Sequence, residues 1–369
     1  MLLRKGRLLG ALVGVAVLAG CVQPPALDVR LTWLDVTLAG VVPLALASSE
    51  SGLVVAGTDM SDSAPSVVLE TGEMVPLVPS EPYAASARIV GATSAGPELY
   101  LIGGRAGGAH ENTRWTVWDG PVAGPVTSRP QEFFTFGGHD AGPLLGTVVV
   151  GGKPVIVGSR GGDAGPDAAL YAVDGEVWHQ LDTPSVLHSA NGVVLGFTAV
   201  AAVGSTIVIA GDSVRGTESG AVQTPALFYG TVGGDWHRVD LPVQTEASGL
   251  RHATGVACAG STCWVAGWAE HPIVWEVFLT EGRVNETTTL PGEKPGDSDP
   301  SALVAIVQGR PLVVTNATTP SAAVRCNNGW SVVKASGQPP GGATAVTGFG
   351  DDVYVVAGDR LWRATVPAC

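Results

Sequence analysis

Apolar and polar positions alternate along this chain in short runs, and one of the runs recurs. It is a Val-, Ile- or Leu-rich segment that usually stops at glycine: LVVAG (53–57), LYLIGG (99–104), PVIVG (154–158), TIVIAG (206–211), CWVAG (263–267), PLVVT (311–315) and VYVVAG (353–358). Taking Gly103 in the second run, the ends fall at 57, 103, 158, 211, 267, 315 and 358, spaced by 46, 55, 53, 56, 48 and 43 residues. A period of this length holds four short strands with their loops.

Other strands fall into register around the marker. Before it lie VPLALAS, SARIVGA, LLGTVVV, FTAVAAV, TGVAC, ALVAIV and ATAVTGF, rich in Ala, Gly and Thr, as a crowded centre requires. After it come SVVLETG, RWTVWDG, ALYAVDG, ALFYGTVGG, VWEVFLTEG, AAVRCNNG and RLWRATV, whose closing turns lead to outer strands such as EVWHQLD, DWHRVDL and WSVVKAS. Alternation with Val, Tyr and Trp suits pleated, half-buried strands. The seventh unit lacks a fourth strand, and the stretch RLTWLDVTL (30–38) has the character to supply it. Joining the termini in this way removes the open sheet edges. These features predict an all-β chain: one seven-bladed β-propeller of four-stranded antiparallel blades over 30–369, its ring closed by the N-terminal strand, with six or eight blades as the neighbouring counts. A closed ring of this kind is expected to be monomeric.

Composition agrees with that reading. Of 369 residues, 51 are Gly and 26 Pro, which supplies turns without reaching a disordered composition. Hydrophobic residues make up 45%, enough for a large core. The formal charge of −13 argues against nucleic-acid binding through phosphate neutralisation.

The start of the chain reads MLLRKGRLLGALVGVAVLAGC. Arg4, Lys5 and Arg7 precede an apolar stretch too short for a permanent membrane span. Leu18-Ala19-Gly20-Cys21 resembles the lipobox of bacterial lipoproteins. The resemblance implies a leader over 1–20 that is removed, a diacylglycerol and further acyl chain such as palmitate on Cys21, and a tether over 21–29. It places the protein in the cell membrane or outer membrane, facing the extracytoplasmic side. Two or three chains give a firm anchor where one is marginal. Four cysteines then remain, an even number suited to an oxidising compartment. Cys258 and Cys263 flank a Gly-Ser turn and are expected to bridge a hairpin, leaving Cys326 to pair with Cys369.

Two propeller families come close. LYLIGG followed by Trp115 and Trp118 resembles a kelch repeat. Asp174-Gly175-Glu176-Val177-Trp178 and Asn327-Asn328-Gly329-Trp330 resemble degenerate Asp-box turns of BNR/sialidase-like propellers. The likeness extends along the chain as architecture, and its motifs are loose.

Candidate chemistry is sparse. Arg105, Arg160, Arg215 and Arg360 stand near the marker in four units, and Arg88, Arg251 and His252 stand at the start of first strands. Guanidinium groups on one face could grip a carboxylate or phosphate. The BNR/sialidase resemblance implies three arginines on a carboxylate and a Tyr activated by Glu. Here Val90 follows Arg88-Ile89 where that family has proline, and Tyr83, beside Glu81, is the tyrosine expected in a loop. His139, His188 and His252 fall at unequal distances from their markers, so no metal site is expected; no motif calls for a cofactor. The resulting expectation is an envelope lipoprotein acting as a binding or scaffold module for a protein or polymer, with a sialidase-like glycoside hydrolase as the alternative.

Overall fold

Hydrophobic alternation folds each period into antiparallel strands that stack side by side, as seen in a computed structural model. The structure describes residues 29–36, 38, 40–108, 111–132, 134–190, 192–218, 220–243, 251–294, 299–317, 321–327, 329–336 and 342–368. The expected leader, the expected lipidation residue Cys21 and Cys369, the expected partner of Cys326, lie outside the described residues.

Seven blades surround a central channel. Their innermost strands are Val41–Ser49, Arg88–Ala95, Ala141–Val150, Val193–Val203, Arg251–Ala259, Ala302–Val307 and Ala343–Phe349. Blades three to six each carry four sequential strands in simple up-and-down order. Blade seven takes its outer strand from the beginning of the chain: Leu34–Val36 pairs antiparallel with Arg360–Thr365. The closing segment goes further than expected, because Arg30–Thr32 also pairs in parallel with Lys334–Ser336, the tail of blade six. Val29, Leu31 and Trp33 are buried in the core between these two blades.

Blade one departs from the common plan. It has three strands, Val41–Ser49, Gly52–Asp59 and Pro65–Leu69, and a single bridge from Val68 to Met74 where a fourth would run. The chain then crosses to its neighbour, where Leu77–Val78 adds a fifth strand to the outer edge of blade two.

The recurring glycine has a packing cause. In six blades the inner strand bulges opposite the marker, so one extra residue faces its partner. The bulge drives an inner-strand carbonyl against the marker. A Cβ on Gly57 would sit 1.9 Å from the Val42 carbonyl oxygen, and one on Gly211 2.0 Å from that of Gly196. Blade six has Thr315 at the marker and an unbroken register there. In blade seven the residue in register is Ala357 rather than Gly358, which lies in the following turn.

Inner strands are joined across blades by hydroxyl groups. Thr93 Oγ1 donates to the Thr147 carbonyl at 2.7 Å, Thr198 Oγ1 to that of Ala253 at 2.7 Å, and Thr254 Oγ1 to that of Ala302 at 2.7 Å. Cys258 and Cys263 are opposite partners in their hairpin and form the expected disulfide. Cys326 is also disulfide-bonded.

Candidate functional site

The two faces of the ring are built differently. Each inner strand reaches the second through a turn of two residues, seven times over, making one face low and uniform. Connections from second to third strands, and from one blade to the next, emerge on the other face. Described stretches such as 79–87, 106–108, 111–113, 134–140 and 182–190 make that face longer-looped and varied. Loops carried by a rigid scaffold are where binding groups concentrate.

All seven charged candidates read from the sequence belong to this loop-rich face by strand direction. Arg88 opens the inner strand of blade two, opposite Gly104, and Arg105 ends the second strand while donating to Ser86 Oγ at 2.8 Å. Arg160 reaches over the 129–140 connection, donating to the carbonyls of Phe134, Thr135 and Gly137 at 3.3–3.5 Å. Arg215 stands on the hairpin between the second and third strands of blade four. Residues 212–217 pair strand to strand with 220–225, from Asp212 with Pro225 to Thr217 with Gly220. Arg360 forms an ion pair with Asp35, tying blade seven to the closing segment. In blade five the Arg251 amide donates to Gln223 Oε1 at 3.3 Å, and the His252 ring meets the Pro300 carbonyl at 2.9 Å.

Gln223 also donates to Asp212 Oδ2 at 2.6 Å. Burial raises the Asp212 carboxyl above its ordinary range, and Gln223 and the nearby His252 oppose that shift. Arg251, His252 and Asp212 are therefore brought together near the channel mouth, while Arg88 and Arg105 neighbour each other in blade two. Arg160, Arg215 and Arg360 stand in three further blades. The three histidines keep separate partners: His139 meets Asp140, His188 meets Thr183, and His252 meets Pro300. Among the described residues no three His, Cys, Asp or Glu side chains gather as metal ligands would.

The central channel is lined by residues of all seven inner strands, each of them Leu, Val, Ala, Gly or Thr, around about 280 Å³. It offers no charged group. A more chemically varied hollow of about 140 Å³ opens between blades two and three on the loop-rich side. Tyr83, Trp115 and Phe136 line it, along with Asn112, Arg114, Gln131 and Glu132.

Local sequence explains how the aromatics are held. A Cβ on Gly103 would come 2.9 Å from the Trp118 ring, and one on Gly104 3.1 Å from the Trp115 ring. The glycine pair thus makes room for two indoles. Trp118 is fully buried toward blade one, and Trp115 faces blade three with its indole N–H donating to the Gly142 carbonyl at 3.1 Å. Phe136 packs edge-on to Tyr171, with centroids 4.7 Å apart. The Asn112 side-chain amide donates to the Gly138 carbonyl at 3.0 Å, and that of Gln131 donates to the Trp115 carbonyl.

Tyr83 is pushed up to about 12, first by burial and then by its hydrogen bond to Glu81 and that group's charge. Gln131 and Arg114 oppose the shift. Tyr83 and Trp115 of this group stand out in sequence. Arg114 and Trp115 lie in the strand Arg114–Pro121, and Gln131, Glu132 and Phe136 come from the connection that follows blade two, where no sequence motif marks them. Trp268, in the second strand of blade five, is buried at 2% exposure.

No protein-family model matches the chain, and a search of curated proteins gives no match. Solved structures do resemble it. Selenomethionine-substituted virginiamycin B lyase from Staphylococcus aureus matches at 12% identity and a TM-score of 0.54, over 92% of this chain and all of that one. The RRP9 WD40 repeats match at 11% identity and a TM-score of 0.55, over 92% and 98%. The Dos1 propeller matches at 10% identity and a TM-score of 0.51, over 92% and 96%. At these identities the likeness is one of fold.

Proposed function

We propose that this protein is a lipoprotein anchored through Cys21 in the cell membrane or outer membrane, whose propeller is an extracytoplasmic binding module. The observation that carries the binding reading is the aromatic hollow between blades two and three. Flat ring faces beside amide, guanidinium and carboxylate groups suit a ring-bearing polar ligand, such as one sugar unit of an envelope polymer. The Gly103-Gly104 pair and its two indoles give blade two its kelch-like character. The lipobox, with its cationic leader and the disulfide-bonded body, supports export and anchoring.

Two measurements test this. Cys21→Ser abolishes acyl labelling and releases the protein from membranes; retained acylation overturns the anchor. N-acetylglucosamine or glucose, titrated against the purified protein, shifts tryptophan fluorescence, and Trp115→Ala removes the response. A Trp115→Ala protein that responds unchanged overturns the site.

A second reading is a sialidase-like hydrolase, favoured by the grouping of Tyr83, Glu81 and Arg114. Turnover of a fluorogenic sialoside that is lost in both Tyr83→Phe and Arg114→Ala would establish it over binding alone.

A further inference from the structure

Two further hollows adjoin the aromatic one, and all three lie at the loop-rich end of blade three. The inner hollow, of about 260 Å³, is lined by Glu111 together with Ala141, Gly142 and Pro143 at the start of the innermost strand. It shares Asn112, Thr113 and Trp115 with the aromatic hollow, so these residues form the wall between the two. The outer hollow, of about 400 Å³, opens beside the ends of the other three strands of the blade. Arg160, Asp167, Gln180, Asp182, Thr183 and His188 line it. The connection 134–140 divides it from the aromatic hollow, which Phe136, Gly137 and Gly138 line. From the outer side Arg160 donates to the Phe134, Thr135 and Gly137 carbonyls, and the Gly161 amide donates to the Asp140 carbonyl at 2.8 Å.

We infer that the three hollows are consecutive subsites of one groove, and that its ligand is an uncharged chain of sugar units instead of a single unit. This rests on the aromatic hollow as a sugar site. A chain lying over the face with one ring against Trp115 reaches Glu111 and Asn112 toward the innermost strand, and Gln180 and Asp182 toward the blade edge. Glu111, Gln180 and Asp182 are exposed, and their carboxylate and amide oxygens accept from sugar hydroxyls.

Charge selects the class of chain. The groove carries the carboxylates of Glu111, Glu132, Asp167 and Asp182 against the guanidinium groups of Arg114 and Arg160, and Arg160 is already engaged with backbone carbonyls. A chain bearing carboxylates or phosphates is repelled there, whereas hydroxyl and acetamido groups are not. The walls are also set in advance. The Asn112 amide holds the Gly138 carbonyl at 3.0 Å, the Ser189 amide donates to Asp167 Oδ1 at 2.7 Å, and the Thr183 hydroxyl meets His188 Nε2 at 2.9 Å. Little ordering is then required on binding, so each added unit adds affinity.

Isothermal titration calorimetry of the purified protein tests the groove, with N-acetylglucosamine and glucose as monomers and as their β-1,4-linked tetramers. A tetramer binds at least about tenfold more tightly than its monomer, as two or more added hydrogen bonds require. Glu111→Ala and a Gln180→Ala/Asp182→Ala double variant each cut that gain about threefold or more, with monomer binding unchanged. An oligogalacturonate of the same length binds at least about tenfold more weakly than the neutral tetramer. Equal affinities for monomer and tetramer, or a gain that survives both sets of substitutions, overturn the groove and leave the aromatic hollow a single-sugar site. Equal or tighter binding of the oligogalacturonate overturns the uncharged class of ligand. Binding of none of the monomers or tetramers overturns the sugar reading of the hollow and the groove together.

Discussion

The hydroxyl of Tyr354 in blade seven donates to Glu70 Oε1 in blade one at 2.5 Å, joining the last blade to the first. Arg363 Nη1 approaches the same oxygen at 3.2 Å, and its Nε pairs with Asp352 at 2.9 Å. The seam is thus a polar clasp laid over the apolar contact of Tyr354, Val356 and Leu361 with Leu53 and Val55. Tyr354→Phe removes one bond and leaves Glu70 paired with Arg363, so it costs about 1–2 kcal/mol. Glu70→Ala leaves the Tyr354 hydroxyl without its acceptor and Arg363 with Asp352 alone, and costs more. Equilibrium urea denaturation of the two variants measures the order, and an equal loss would contradict the clasp.

The same contact gives stability a pH dependence. Burial, and then the bond to Glu70, push the Tyr354 phenol above its ordinary value near 10. A raised pKa in the folded state means that folding favours the protonated form. The stabilisation is complete below the unfolded value and is lost as pH rises through it toward the folded one. Tyr83, Tyr100, Tyr171 and Tyr229 are shifted the same way, each chiefly by burial. Stability therefore falls above about pH 10, and Tyr354→Phe makes that fall shallower. Denaturation midpoints between neutral pH and this alkaline range check the slope.

The marker glycines predict a position-specific intolerance. Alanine at Gly57 would put its Cβ against the Val42 carbonyl, where neither backbone can yield cheaply. Gly57→Ala and Gly211→Ala each cost about 2–4 kcal/mol, in the range of other overpacked cores. Gly216 is the control, because a methyl group added there would meet no atom within 4 Å. Gly216→Ala stays within about 1 kcal/mol of the parent. Thermal unfolding of the three variants distinguishes a packing requirement from a general preference for glycine in strands.

The repeat made the architecture legible because every blade buries the same alternating pattern, so its strands and closure showed in residues 53–57 through 353–358 and in Leu34–Val36. What escaped depended on tertiary pairing. Leu77–Val78 reads like any outer strand of blade one, and only the neighbouring edge of Val126–Ser128 draws it into blade two. Polar residues 212–217 and 220–225 carry no apolar alternation, yet register continues from the strands behind them and keeps them extended. The hollow was less legible still, since Tyr83 and Phe136 come from two connections and Trp115 from the strand Arg114–Pro121, and their meeting depends on how blades two and three pack.

Thr254 predicts how the blades depend on one another. Its hydroxyl donates to the Ala302 carbonyl and accepts from the Ala302 amide at 2.9 Å, so one side chain satisfies both backbone groups of the next inner strand. Thr254→Val preserves shape but leaves a buried N–H without this partner, at a cost of about 1–3 kcal/mol. Thr93→Val removes a single contact, to the Thr147 carbonyl, and costs less. Chemical denaturation of the pair tests whether the second bond accounts for the difference.

Arg160 offers the last test, because its guanidinium spans the connection that floors the hollow. It donates to three carbonyls between Phe134 and Gly137 while lying beside Tyr171. These bonds come from a half-buried side chain on the loop-rich face, so their loss has a modest global effect, about 1 kcal/mol. The local effect is larger: without them, three carbonyls lose their shared donor and the segment exchanges its amides through local opening. Arg160→Ala therefore speeds hydrogen exchange across residues 134–138 while exchange in the Val155 to Val157 strand is unchanged. Uniform acceleration across the blade would assign Arg160 to general stability instead of to holding the rim of the hollow.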